Sequence, residues 1–107
     1  MSDVNARIKG LIDQNRVLLF MKGSPDAPQC GFSHRATQIV RALGVPFGSV
    51  DVLSDPEIRE GIKAYGSWPT IPQLYIDGQL IGGSDIAYEM YQNGELHKLV
   101  ESHPKID

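Results

Sequence analysis

The sequence has 107 residues with a formal net charge of −3, and its composition, 41% hydrophobic and 21% charged, is that of one globular domain over residues 1–107. The negative balance disfavours a nucleic-acid-binding protein, because such proteins concentrate positive charge against phosphates. No apolar run is long enough to cross a membrane, and the first residues show neither an export signal nor a transit segment.

Hydrophobic spacing predicts a first helix, with Ser2 as its N-cap and Val4, Ile8, Leu11 and Ile12 on one face. The short apolar run RVLLFMK follows, and its length favours a strand buried on both faces of a parallel sheet. The next segment, GSPDAPQ, is predicted to be a loop, because two prolines and a glycine interrupt regular structure.

A second helix is predicted from Gly31 to Leu43, ended by Gly44. A second strand is predicted in PFGSVDV. The segment SDPEIREGIKAYG then has the start signals of a helix, with Asp55 as N-cap and Pro56 in the first helical position.

The remaining third of the chain begins with a predicted hairpin, PQLYIDGQLIGG, which turns at the favoured pair Asp77–Gly78. The segment SDIAYEMYQNG is predicted to be a helix capped by Ser84 or Asp85, and a last short helix is predicted over residues 95–101. The element order is therefore α-β-α-β-α-β-β-α-α.

This order predicts an α/β fold. A β-α-β unit implies two parallel strands joined by a right-handed crossover, and the late hairpin adds two antiparallel strands. We therefore expect a four-stranded mixed sheet with helices on both faces. In such folds, ligands bind where strand ends meet helix N-termini, and Cys30 lies at one such junction.

Cys30 is the single cysteine, which excludes a disulfide framework and favours a reducing compartment. We therefore expect a cytoplasmic protein, although a processed organellar protein would have the same cysteine content. The thiol directly precedes a predicted helix, whose positive dipole end lowers a thiol pKa; Lys22 adds positive charge, and Ser33 can donate a hydrogen bond to sulfur. On position alone two interpretations stand: a nucleophile or metal ligand, or a small buried apolar residue.

The segment from Lys22 to Ser33, KGSPDAPQCGFS, resembles the signature loop of the monothiol glutaredoxins of the CGFS class at every fixed position of K-G-x-P-x-x-P-x-C-G-F-S. Two further segments, WPTIPQLYIDG and IGGSD, resemble other signature blocks of that family at compatible distances. The resemblance covers nearly the whole chain and implies a thioredoxin-like fold. Dithiol relatives carry C-x-x-C, so Ser33 replaces the resolving thiol, which must then come from another molecule such as glutathione.

The resemblance also implies a groove for glutathione beside Cys30. Pro72 would follow a cis peptide bond, which would leave the main-chain groups of Ile71 ready to pair with a peptide-like ligand. Lys22 and Arg59 would bind the glycine carboxylate of the tripeptide. Without the family match, Ile71–Pro72 equally suits an ordinary entry into a strand, and single basic residues are usually solvated surface charges.

At the other end of this groove, the resemblance implies that Ser84 and Asp85 hold the γ-glutamyl part of glutathione. Their backbone N–H groups would bind its carboxylate, and the Asp85 side chain would lie near its ammonium group. Taken alone, GGSD is also typical of a loop followed by an N-cap. Many relatives have cysteine where Ser84 stands. The absence of that cysteine in this chain argues against any family chemistry that uses a second thiol at this position.

The function implied by this resemblance is the binding and transfer of an iron–sulfur cluster. A [2Fe-2S] cluster takes four ligands, and Cys30 together with one glutathione from each of two chains would supply four thiolates. We therefore expect a homodimer bridged by the cluster. The resemblance also implies a BolA-type protein as a further partner, together with iron–sulfur donor and recipient proteins. The alternatives are an enzyme that reduces protein–glutathione mixed disulfides with glutathione and, third, an inactive thioredoxin-like adaptor.

Other side chains are weaker candidates for ligands. His34 lies four residues after Cys30, which raises a zinc alternative, but no second Cys/His cluster accompanies it, since His97 and His103 lie in a late helix and tail. Phe32 is predicted to face a partner or to shield the cluster. Five other aromatic residues are interpreted as core or rim packing: Tyr65, Trp68, Tyr75, Tyr88 and Tyr91.

Overall fold

The computed structural model describes residues 3–101. Its helices are α1 (Val4–Gln14), α2 (Gly31–Ala42), α3 (Pro56–Tyr65), α4 (Ser84–Gln92) and α5 (Glu95–Glu101). Its strands are β1 (Val17–Met21), β2 (Gly23–Ser24), β3 (Ala27–Pro28), β4 (Gly48–Asp51), β5 (Gln73–Ile76) and β6 (Gln79–Gly82), and a 3-10 turn covers Val52–Ser54. Within the described range, no helix is both long and apolar enough to span a bilayer.

The central sheet has the strand order β4-β1-β5-β6. Strand β1 pairs in parallel with β4, where Phe20 is opposite Val50, and antiparallel with β5, where Leu19 is opposite Leu74. Strand β6 completes the sheet antiparallel to β5. The predicted four-stranded mixed sheet is therefore confirmed, and the parallel pair β1–β4 is joined through α2, as a β-α-β unit requires.

Strand β1 is buried on both sides because helices cover both faces of this sheet. All five β1 residues are buried, and they alternate between two apolar clusters. Leu18 and Phe20 pack with residues of α1 and α3, including Ile8 and Ile62. Val17, Leu19 and Met21 face the opposite cluster, which α2, α4 and α5 contribute to. The periodic apolar positions of the sequence thus form these two half-cores.

Several predicted element ends are confirmed by the structure. Asp55 caps α3 by accepting a hydrogen bond from the Ile58 N–H at 3.2 Å, and Pro56 is its first residue. The hairpin turns at Asp77 and Gly78, whose φ angles are 51° and 82°. Ser2, the expected cap of α1, lies outside the described residues, and the structure shows Asp3 as the cap instead.

Two predictions about local structure were wrong. The segment GSPDAPQ is not a plain loop, because β2 and β3 within it form a short antiparallel pair in which Gly23 is opposite Pro28. Helix α4 is not capped by Ser84 or Asp85; its N-cap is Gly83, which provides no side-chain hydrogen bond. Ser84 and Asp85 are instead the first two residues of the helix.

The β2–β3 hairpin is fixed to the sheet by polar contacts at Gly23 and Gln29. The Asp51 carboxylate at the end of β4 accepts the Gly23 N–H at 2.9 Å, and the Lys22 carbonyl accepts the Gln29 N–H at 2.8 Å. Gly23 has φ of +88°, and a Cβ there would overlap the Ala27 carbonyl oxygen and lie 2.8 Å from the Gln29 N. Only glycine fits this position.

We expect Gly23→Ala to lower the free energy of unfolding by about 3 kcal/mol, because a left-handed backbone and steric overlap both oppose the new methyl group. Gly44→Ala is a matched control: Gly44 also has a positive φ, +73°, but nothing lies within 4 Å of the position that a Cβ would take there. That control should lose only about 1 kcal/mol. Urea unfolding followed by tryptophan fluorescence measures both, and equal losses would contradict the steric argument.

Candidate functional site

A cleft of about 490 Å³ lies between the end of β1, helix α3, the loop before β5 and the start of α4. Six residues that the sequence analysis assigned to binding line it: Lys22, Arg59, Ile71, Pro72, Ser84 and Asp85. They come from four separate segments of the chain. The structure therefore brings the predicted binding residues together in one cavity.

Cys30 is not itself a lining residue, but it lies beside the cleft, because Phe32 two residues along the chain and Lys22, whose charge acts on the thiol, are both part of the lining. It is the N-cap of α2, and its Sγ accepts a hydrogen bond from the Ser33 N–H at 3.3 Å. The residue is half-buried, whereas Phe32 beside it is 60% exposed. Cys30 is thus not among the buried core residues, which excludes its interpretation as a small apolar residue of the interior.

The Ser33 hydroxyl connects the strand end to the thiol. Ser33 is fully buried, and its Oγ accepts a hydrogen bond from the Lys22 N–H at 3.0 Å while lying 3.3 Å from the Cys30 Sγ. A hydroxyl has one hydrogen and two lone pairs. Because Oγ accepts from the Lys22 N–H, its own hydrogen remains free to donate to the sulfur when the thiol is ionised.

These contacts lower the pKa of the Cys30 thiol. Partial burial is the largest single influence and raises the pKa, but four influences act together in the other direction. They are the Ser33 hydroxyl, the Ser33 and Phe32 N–H groups, and the positive charge of Lys22. The net pKa is below the ordinary value, so a larger fraction of the sulfur is thiolate at neutral pH than for a free cysteine.

Lys22 and Arg59 provide uncompensated positive charge in the cleft. Among the ion pairs of residues 3–101, none involves either side chain. The Arg59 Nε is buried and lacks a hydrogen-bond partner within the same range. Two cations without carboxylates, one of them with an unpaired buried donor, form a site suited to an anionic group.

The segment before β5 forms another wall. The Ile71–Pro72 peptide bond is cis, as the family resemblance implied. In the described part of the chain, no hydrogen bond engages the N–H or C=O of Ile71, so both are available to a ligand. Buried Gln73 fixes this segment, because its Nε2 donates to the carbonyl oxygens of Trp68 and Thr70 at 3.1 and 3.3 Å.

The start of α4 closes the far side of the cleft. Gly83 leaves the first N–H groups of the helix without a side-chain cap, so they are free to bind an anion. The Asp85 carboxylate is 84% exposed and lies 3.5 Å from the Arg35 guanidinium. Arg35 in turn stacks over the Tyr88 ring, 4.1 Å from its centroid, which holds the pair at the rim.

Sequence reasoning gave no site role to six residues that line the cleft: Lys63, Trp68, Pro69, Thr70, Gly83 and Ile86. Lys63 carries no motif signal, and it pairs with Glu60 one turn back on α3. Trp68 stands within the quoted block WPTIPQ, but its aromatic character alone indicates packing. Among residues 3–101, no three His, Cys, Asp or Glu side chains lie close enough to share a metal ion, and exposed His34 belongs to no such group.

The fold and site define a class of protein, and comparisons with known proteins agree with it. The family profile described as Glutaredoxin matches residues 17–81. The solution structure of reduced poplar apo GrxS14 superposes with a TM-score of 0.82 at 47% identity, covering 92% of this chain and 91% of that one. The fold is therefore thioredoxin-like, of the glutaredoxin type.

Sequence relatives make the assignment narrower. A Synechocystis protein described as an uncharacterized monothiol glutaredoxin is 54% identical over 92% of this chain and 92% of its own length. Glutaredoxin 4 of Escherichia coli is 50% identical over 94% of this chain and 88% of its own. The chain belongs to the glutaredoxin family, in its monothiol class.

We expect Ser33→Ala to raise the pKa of the Cys30 thiol, because it removes the strongest of the contacts that lower it. The rate of alkylation by iodoacetamide against pH reports this value, and its midpoint should move to higher pH. Ser24→Ala is the control, since that hydroxyl accepts a hydrogen bond from the Ala27 N–H in the nearby hairpin and does not contribute to the thiol pKa. An unchanged midpoint for Ser33→Ala would show that the hydroxyl does not stabilise the thiolate.

Proposed function

We propose that this protein binds glutathione in the cleft and, as a homodimer, carries and transfers a [2Fe-2S] cluster as its cargo. The observation that carries the proposal is the position of the Cys30 thiolate at the edge of a cleft with groups for both ends of a peptide. A single chain offers one thiol, which is half-buried and free of any disulfide. The cleft supports the proposal because it gives a second, small-molecule thiol a place beside that sulfur.

Glutathione matches the polarity of the cleft along its length. Lys22 and Arg59 are suited to its glycine carboxylate, because neither has an internal counterion in the described chain. The free N–H and C=O of Ile71 suit strand-like pairing with its central cysteine residue. The uncapped start of α4 suits the γ-glutamyl carboxylate, and exposed Asp85 suits the ammonium group.

The residues present also fit an iron–sulfur cluster as cargo. Thiolates are the usual ligands of such clusters, and the lowered pKa of Cys30 favours the ionised form of that ligand. Two chains, each contributing Cys30 and one bound glutathione, supply four thiolates. Phe32, exposed beside the sulfur, would cover the cluster in that dimer. Because glutathione is held without a covalent bond, half the ligands can leave, which suits transfer to a recipient.

Partners follow from the same proposal and rest on the family resemblance. We propose a BolA-type protein as an alternative to the second copy, together with iron–sulfur donor and recipient proteins. Both kinds of complex require the partner to approach the Cys30 edge of the cleft. The exposure of Phe32 there supports this orientation, since a large apolar side chain in water favours contact with a partner.

The alternative function is the reduction of protein–glutathione mixed disulfides, which the lowered pKa of Cys30 also supports. The thiolate would attack the glutathione sulfur, release the protein thiol and form a Cys30–glutathione disulfide. A second glutathione thiolate would then attack that disulfide, regenerate Cys30 and leave oxidised glutathione. Ser33 cannot perform this second step. Each turnover therefore combines the glutathione released from the substrate with one further glutathione molecule to form oxidised glutathione.

Anaerobic reconstitution with iron, sulfide and glutathione tests the main proposal. We expect a coloured dimer by visible absorption and gel filtration that bleaches and dissociates when glutathione is removed. Cys30→Ser should give a colourless monomer, whereas His34→Ala, which alters an exposed neighbour on α2, should retain the cluster. Colourless wild-type protein with rapid turnover of a glutathionylated substrate would favour the enzyme, and cluster retained by Cys30→Ser would refute the ligand assignment.

We expect Arg59→Gln to weaken glutathione binding about tenfold, because charge-assisted hydrogen bonds to a carboxylate contribute roughly 1.5–3 kcal/mol. Lys9→Gln is the matched control, since it removes the same charge from the exposed face of α1, where Asp13 is the one ion-pair partner of Lys9 among residues 3–101. Titration calorimetry measures both dissociation constants. Equal affinities for Arg59→Gln and wild type would remove Arg59 from the binding site.

A further inference from the structure

Trp68 carries a second unpaired buried donor in the cleft. Its indole Nε1 is buried and has no hydrogen-bond partner among residues 3–101, and its side chain is part of the cleft lining. A buried N–H without an acceptor costs roughly 1–3 kcal/mol relative to a paired one. The free protein therefore holds a donor that a ligand with a correctly placed oxygen would satisfy.

The indole N–H of Trp68 lies next to Gly83. A Cβ built on Gly83 would lie 3.7 Å from the Trp68 Nε1 and 3.4 Å from the Pro72 carbonyl oxygen. Gly83 is also the residue that leaves the start of α4 uncapped. The indole N–H and the first N–H groups of α4 are therefore adjacent to the same glycine, and together they form one cluster of donors.

Hydrogen bonds hold the main chain of Trp68 on both sides. The Trp68 N–H donates to the Lys63 carbonyl at the end of α3 at 3.0 Å, and the Trp68 carbonyl accepts from Gln73 Nε2 at 3.1 Å. Gln73 is itself buried, and its Oε1 accepts from the Tyr75 hydroxyl at 3.1 Å. The backbone that carries the indole is thus ordered before a ligand arrives, which reduces the entropy lost on binding.

We infer that the Trp68 indole N–H donates a hydrogen bond to the γ-glutamyl carboxylate of the bound thiol, and that Trp68 thereby determines specificity. The inference rests on the proposed binding of glutathione. A carboxylate has about four acceptor positions on two oxygens, so it accepts the helix N–H groups and the indole together. A thiol ligand without this carboxylate would leave the indole donor unpaired and would be rejected.

The test uses glutathione and γ-aminobutyryl-cysteinyl-glycine, which lacks only the γ-glutamyl carboxylate, with wild type and Trp68→Phe. Phenylalanine retains an aromatic ring and loses the N–H. We expect Trp68→Phe to bind glutathione about tenfold more weakly by calorimetry and to bind the decarboxylated ligand as wild type does. Tyr65→Phe is the control, because it removes a polar atom from an exposed ring outside the cleft.

A second measurement follows the donor directly. The chain contains one tryptophan, so a nitrogen–proton correlation spectrum contains one indole signal. Glutathione should shift this signal downfield in wild type, and the decarboxylated ligand should not. The inference is overturned if glutathione shifts the cleft amide signals, leaves the indole signal in place and binds Trp68→Phe as tightly as wild type. That result leaves the proposed function intact. Glutathione that shifts no cleft amide overturns the proposed function, and the inference with it.

Discussion

The buried hydroxyl of Ser33 is the contact on which the site depends. It accepts the N–H of Lys22 at the end of β1 and lies 3.3 Å from the sulfur of Cys30 at the start of α2. A serine oxygen accepts and donates at once, so it satisfies the strand end and still stabilises a thiolate. A thiol at this position would be a weaker acceptor for the Lys22 N–H but would resolve disulfides. The CGFS sequence therefore lacks internal disulfide chemistry but has a well-paired strand end and a thiol whose pKa is lowered.

Most of the fold was predictable because burial follows simple periods. The continuous apolar run of β1 indicated a strand buried on both faces, and the spacing in α2 indicated one apolar helix face; both are confirmed. The β2–β3 pair was not predictable from local composition. It is stabilised at Gly23 by a hydrogen bond to the Asp51 carboxylate, 28 positions away. Burial raises the pKa of this carboxyl group, but the N–H and hydroxyl groups that donate to it outweigh burial, so the net pKa is lowered. Such a contact exists only after β4 has joined β1.

The candidate site was predictable as a set of residues but not as a geometry. Lys22, Arg59 and Ile71 each allowed an ordinary structural explanation, and only the family resemblance joined them before folding placed them around one cleft. The cap of α4 was predicted wrongly because capping preferences favour Ser84 and Asp85, while Gly83 occupies the position. From the sequence around Trp68, its large aromatic ring is expected to take part in packing. Whether the indole N–H has a hydrogen-bond partner depends on the tertiary structure alone.

The proposed function explains why one fixed thiol and one exchangeable thiol belong together. Cys30 is held by its own helix, so its position does not depend on a ligand. The second thiol would be held only by hydrogen bonds and ion pairs at Lys22, Arg59 and the start of α4, and its occupancy then rises and falls with glutathione concentration. In this proposal, a cluster ligated by both kinds of thiol would be stable while the tripeptide is abundant and would become labile when a recipient competes for two of its four bonds. Because Ser33 stands where a second thiol would allow an internal disulfide, loss of the tripeptide would return Cys30 to its starting state without oxidising it.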